Sequence, residues 1–201
     1  MNAAQPSLSP GQEKPIPLAL PAPERTPLRL GVAVGSLVFA GLLIAYLVLY
    51  LRLPVSMPRL PWIYWLSTAA ILVSGIALHR SVSAARRSDG ERAHRALLIG
   101  TGLIYLFVGL QGAGVIMLSQ MHLAFRAVSP TLFGLTLVMA GLHLLLAIGA
   151  LAALSELSLR SERHHYEGGE ARQLEPINSF CRALAIWWLA IFVVVMGFNL
   201  F

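Results

Sequence analysis

Few side chains in this sequence could do chemistry, and their positions narrow what that chemistry is. His143 stands inside a long apolar run, His79 closes another, and His164-His165 lie in a polar stretch beside Glu162, Glu167 and Glu170. Two buried histidines can hold a haem through both axial positions, and a histidine–carboxylate cluster can hold a metal. His143 has no second histidine at its own depth, because His79 sits at the end of its run. It reads either as a haem or metal ligand or as a neutral imidazole bonded to a neighbouring helix. The second reading needs no missing partner. Adjacent histidines in a polar loop are ordinarily hydrated. The single cysteine, Cys181, excludes an internal disulfide and any multi-cysteine metal site. Gln111 is the one strongly polar side chain of its run, and membrane helices use such amides as interhelical donors. The sequence offers no catalytic, cofactor-binding or metal-binding set of its own.

The elements that must position these residues are apolar. Of 201 residues, 57% are hydrophobic and only 12% charged, with mean hydropathy +0.71, which is a membrane composition. Runs at about 30–51, 62–79, 96–118, 130–155 and 183–201 are near the length of a bilayer crossing. They predict an all-α, polytopic membrane protein with five transmembrane helices in a bundle. No Asp, Glu, Lys or Arg interrupts any run. That argues against an independent proton pump or ion-coupled transporter, whose ionisable groups sit at mid-membrane. Residues 1–28 hold seven of the twelve prolines and no apolar periodicity, and read as a proline-rich disordered cytoplasmic tail before a 29–201 membrane domain. The apolar run after the tail is too long for a cleavable signal peptide and lacks its small-x-small exit.

The second and third runs are joined by Arg80–Arg95, which sets five arginines against Asp89 and Glu91. Five crossings put the N-terminal tail, this connector and the 156–182 stretch on one side. Only Arg52, Arg59 and Arg126, of fifteen basic residues, fall on the other. Basic residues collect on the cytoplasmic side, so the N-terminus is expected inside and the C-terminus outside. The net charge of +6 has this topological cause, and no nucleic acid is expected as a partner. Trp62, Tyr64 and Trp65 open the second run, where aromatic rings favour the headgroup level. Gly31 and Gly35, four apart, permit a close helix approach. Ser67, Ala70, Ser74 and Ala77 form one smooth stripe on the second run, and Gly102, Tyr105, Gly109 and Gly112 repeat the spacing on the third. Small residues let helices pack in lipid, where hydrophobicity supplies no association force.

These residues resemble subunit III of the haem–copper terminal oxidases (cytochrome c and quinol oxidases) in its short five-helix form. The resemblance covers about residues 30–201. It begins at Leu60-Pro61-Trp62 and Trp65-Leu66-Ser67-Thr68, continues through Leu72-Val73-Ser74, and includes Ala85-Arg86-Arg87-Ser88-Asp89 as the arginine-rich connector. Gly109-Leu110-Gln111 is similar to the third-helix glutamine segment, and Gly141-Leu142-His143 with Gly149 to a fourth-helix histidine segment. Trp188 matches a later tryptophan. The chain departs from the family at Gly114, where a buried glutamate is frequent, and at Leu146, where a second histidine is usual. It departs again at Phe180-Cys181-Arg182-Ala183, where an aromatic-Trp-His-Phe stretch is usual.

The resemblance implies a subunit without redox centres in aerobic respiration. Haem and copper belong to the partner subunits I and II, which reduce oxygen to water with electrons from cytochrome c or quinol. Subunit III packs against subunit I, binds phospholipid in its surfaces and sustains proton uptake from the inner face. The expected location is the bacterial inner (cytoplasmic) membrane, with membrane lipids as further partners. Ser67, Thr68, Ser74, Gly109, Gln111, Gly112 and His143 are the candidate helix-packing and interface residues. The rival classes are a free-standing membrane enzyme, binding haem or quinone through His143, and an assembly scaffold outside the mature oxidase.

Overall fold

The computed structural model describes residues 25–52, 61–121, 129–163 and 171–197. They form five helices: α1 Arg25–Arg52, α2 Ile63–Arg86, α3 Gly90–Gln120, α4 Pro130–Arg163 and α5 Ala171–Gly197. No strand occurs among the described residues. All five helices are long and apolar enough to cross a membrane, the pattern of a multi-pass integral membrane protein. The expected tail up to residue 24, the connectors 53–60 and 122–128, and the His164-His165 pair lie outside the described residues.

The helices outrun the apolar runs that announce them. The Arg80–Arg95 connector is almost wholly helical, with only Arg87, Ser88 and Asp89 between α2 and α3. α5 enters its apolar stretch at Leu174 and carries Pro176 inside the helix. Hydropathy marks where lipid ends, whereas a helix continues as long as alanine, arginine and glutamate favour it. The α2–α3 turn closes through three backbone bonds, Arg87 N–H to Ala84 O at 3.0 Å, Ser88 N–H to Ala85 O at 3.1 Å and Asp89 N–H to Ala84 O at 3.1 Å. Ser88 takes the left-handed conformation that this helix ending requires, with φ of 58°. The Asp89 carboxylate then accepts from the Arg92 N–H at 3.2 Å and caps α3.

α2, α3, α4 and α5 form a closed ring in which each packs on the next and α5 returns to α2; α1 lies outside, against α4 and α5. The α2–α3 pair is the most extensive contact, and serines explain its register. Ser81 Oγ donates to Ala93 O at 2.8 Å, Ser74 Oγ donates to Gly100 O at 3.2 Å, and Ser67 Oγ accepts from Gln111 Nε2 at 3.2 Å. These serines are seven apart, so each step advances two turns along one face. Gly100 lets the helices approach, because a Cβ there would lie 2.7 Å from Leu78 Cδ2. α1 is held by Trp187, whose ring stacks on Phe39 at 5.1 Å and whose Nε1 donates to Ser36 Oγ at 3.0 Å. Gly35 gives that ring room, with Trp187 Cη2 2.7 Å from the Cβ position; Gly31 faces open space.

Candidate functional site

The site grows from the first two turns of α2. The carbonyl of Tyr64 accepts from both Ser67 Oγ (2.9 Å) and Thr68 Oγ1 (2.7 Å), so two hydroxyl protons are spent inside the helix. Their oxygens are then free to accept from other helices. Ser67 takes the Gln111 amide from α3, and Thr68 takes the Trp188 indole N–H from α5 at 2.8 Å. One α2 carbonyl therefore anchors two interhelical bonds, in a low-dielectric setting where linked hydrogen bonds reinforce one another.

α4 supplies His143, which is fully buried. Its ring lies 5.3 Å from Trp188 of α5, 5.7 Å from Phe107 of α3 and 5.9 Å from Phe39 of α1, with the two phenylalanines edge-on. Trp188 thus serves twice, bonding α2 through its N–H and packing on the imidazole through its ring. The expected interhelical hydrogen bond of His143 is not made, since neither ring nitrogen has a partner among the described residues. Aromatic packing holds the imidazole instead. Tyr64 OH and Gln111 Oε1 are likewise buried without a partner.

Gly114 completes the layer. A Cβ there would lie 2.7 Å from Tyr64 Cε1 and 3.1 Å from its hydroxyl, so the glycine exists to admit the phenol. Tyr64, Thr136, Trp188 and Phe192 also line a small open pocket of about 20 Å³.

Ser67, Thr68, Gln111 and His143 therefore come together, with Trp188 as the link. Ser74 belongs to the α2–α3 ladder, where it is fully buried. Gly109 and Gly112 lie elsewhere. A Cβ at either would meet nothing within 4 Å, and Gly109 and Gly102 are exposed. Their face of α3 is joined to α4 by Tyr105 OH and Ser155 Oγ, 2.8 Å apart.

His79 is exposed on α2, away from the buried layer. Among the described residues, no three of His, Cys, Asp and Glu gather as a metal ion would require. What the layer does is hydrogen bonding and ring packing that lock four helices, with α1 braced against them. Tyr64, assigned by position to the headgroups, was missed as a core residue, and Phe39 and Phe107 carry no local signal. Trp188 did carry one, since an indole N–H inside an apolar run must find an acceptor.

No protein-family model matches the chain, and no curated protein matches it.

Proposed function

We propose that this chain is a non-catalytic subunit III of a haem–copper terminal oxidase, in the five-helix form, which packs against the catalytic subunit and stabilises it. The observation that supports this reading is a convergence. Thr68, Gln111, His143 and Trp188, four residues through which the sequence resembles that family, come from four helices and meet in one buried layer. A chance scatter of short motifs has no reason to converge. In this reading haem and copper reside in the partner subunits, and electrons arrive from cytochrome c or quinol. Gly114, standing where the family often has a glutamate, favours a structural role, while the arginine-rich α2–α3 turn contributes to a proton-collecting inner face. The exposed Gly102/Gly109 face of α3 is the surface offered to subunit I.

The test is affinity purification of the chain from its native membrane in mild detergent. The expected result is co-purification of a haem–copper subunit I at equal stoichiometry, and oxygen consumption per haem that declines faster when this chain is removed. Recovery of the chain alone, or with partners free of haem, would reject the assignment.

Orientation follows from the basic residues, of which only Arg52, Arg59 and Arg126 fall on the outer side. A reporter fused after Phe201 is expected outside the cytoplasm, and one inserted at Gly168 inside it. Both reporters on one side would undo the crossing order on which the inner-face role depends.

A further inference from the structure

Beside the α2–α3 turn is a pocket of about 370 Å³ lined by Arg80, Ser83, Arg87, Asp89, Arg92 and Ala96. Arg92 is paired with Asp89 at 3.3 Å, but Arg80 and Arg87 have no ion-pair partner among the described residues. Neighbouring basic groups are committed elsewhere: Arg86 binds Glu175 of α5 at 2.9 Å, and Arg95 binds Glu91 within α3. Three arginines thus line one open hollow with a single carboxylate. An anion entering the hollow would meet an excess of positive charge. Guanidinium forks match phosphate oxygens in pairs, which makes a phosphate group the best complement in charge and shape.

The surroundings of the pocket distinguish a lipid phosphate from a free one. Arg80 lies where the apolar part of α2 ends, and Ala96 where that of α3 begins. Four and seven residues back from Arg80, on the same side of α2, Ile76 and Val73 are exposed. Three and ten residues beyond Ala96, Ile99 and Leu106 of α3 are exposed as well. A cationic pocket opening onto two adjoining apolar helix faces suits an amphiphile with an anionic head and acyl chains.

We propose that this pocket binds the headgroup of an anionic phospholipid, with the acyl chains lying along the Val73/Ile76 and Ile99/Leu106 faces. The site is independent of the oxidase assignment, needing only that the helices lie in a membrane.

Native mass spectrometry of the purified full chain, in detergent with added lipid, tests this. Phosphatidylglycerol is expected to bind in preference to phosphatidylcholine of the same chains, and inorganic phosphate at matched ionic strength is expected not to displace it. In Arg80→Gln/Arg87→Gln, affinity for phosphatidylglycerol should fall roughly thirtyfold, the effect of removing two interfacial arginines. Arg86→Gln, which removes an arginine committed to α5, should leave binding unchanged. Equal binding of the two lipids by the unmodified chain would overturn the proposal without relying on any variant. Displacement by inorganic phosphate would reassign the pocket to a soluble anion and overturn it equally, as would undiminished binding in the double variant.

Discussion

Gly100→Leu is expected to dismantle the α2–α3 pair, while Gly109→Leu leaves the folded chain intact and, if the proposed assignment holds, weakens its association with the proposed partner. The two glycines sit nine residues apart on one helix, yet they face opposite environments. A Cβ at Gly100 would lie 2.7 and 2.8 Å from Leu78 Cδ2 and Cγ, and 3.4 Å from the Leu78 backbone nitrogen. The side chain of Leu78 could rotate away, but the backbone behind it cannot. A leucine there must push the helices apart, breaking the Ser74 Oγ bond to Gly100 O and disturbing the serine ladder on either side. Overpacking of a tight core costs about 1–3 kcal/mol and sometimes more, and each interhelical hydrogen bond lost in a membrane adds about 0.6 kcal/mol. Together these give roughly 3 kcal/mol, more than a hundredfold in the folding equilibrium. Gly109 is exposed, and a side chain there meets nothing within 4 Å. Denaturant titration of each variant in detergent reads the first effect, and co-purification with the proposed partner, an oxidase subunit I, reads the second. If Gly109→Leu unfolds the chain as Gly100→Leu does, the α3 face is not free. If it assembles normally, that face is not the docking surface.

What the sequence made legible follows from which signals are local. Five long apolar helices were readable because each run is a property of consecutive residues. Ser67 and Ser74 were readable as a smooth stripe, since period seven lies within one helix, and Gln111 stood out as a lone amide. The partner of each could not be read. Ser74 meets a carbonyl, Gly100 O, which every residue possesses and no sequence pattern marks. Gly100 and Gly109 look alike in sequence, and only the position of α2 tells the buried one from the exposed one. His143 shows the same limit from the other side. A lone histidine in an apolar run suggests a hydrogen bond, but Phe39, Phe107 and Trp188 converge on it from three other helices, and rings replace the bond. Helix ends misled for a different reason, since the polar last turns of α2 and first turns of α3 and α5 are stabilised by caps and an ion pair that hydropathy does not register.

Gly114→Glu is expected to be among the most damaging single changes in the bundle, and one that removing Tyr64 partly repairs. The Cβ position at 114 lies 2.7 Å from Tyr64 Cε1, 2.8 Å from Cζ and 3.1 Å from the hydroxyl, so any side chain must displace the phenol. The phenol cannot move alone. Its ring lies 5.8 Å from that of Trp188, whose indole holds Thr68 and whose face packs on His143. A carboxyl group would also enter a site where Gln111 Oε1 and Tyr64 OH are already buried without partners. Overpacking costs about 1–3 kcal/mol, and burying an uncompensated polar group costs roughly 1–3 kcal/mol on protein scales. The sum is about 2–6 kcal/mol. Gly114→Ala isolates the steric part, because it adds the Cβ and no charge. Tyr64→Ala alone should also cost about 3 kcal/mol, the usual loss for emptying an aromatic site. In Tyr64→Ala/Gly114→Glu the glutamate enters the space the phenol leaves, and the double variant is expected to be about 1–3 kcal/mol more stable than the sum of the single losses. Unfolding in detergent, followed by helical circular dichroism, measures all four proteins. Strict additivity would mean that residues 64 and 114 do not share one space. The coupling would show in physical terms why residue 114 is a glycine: Tyr64 of α2 occupies the space a side chain there would need.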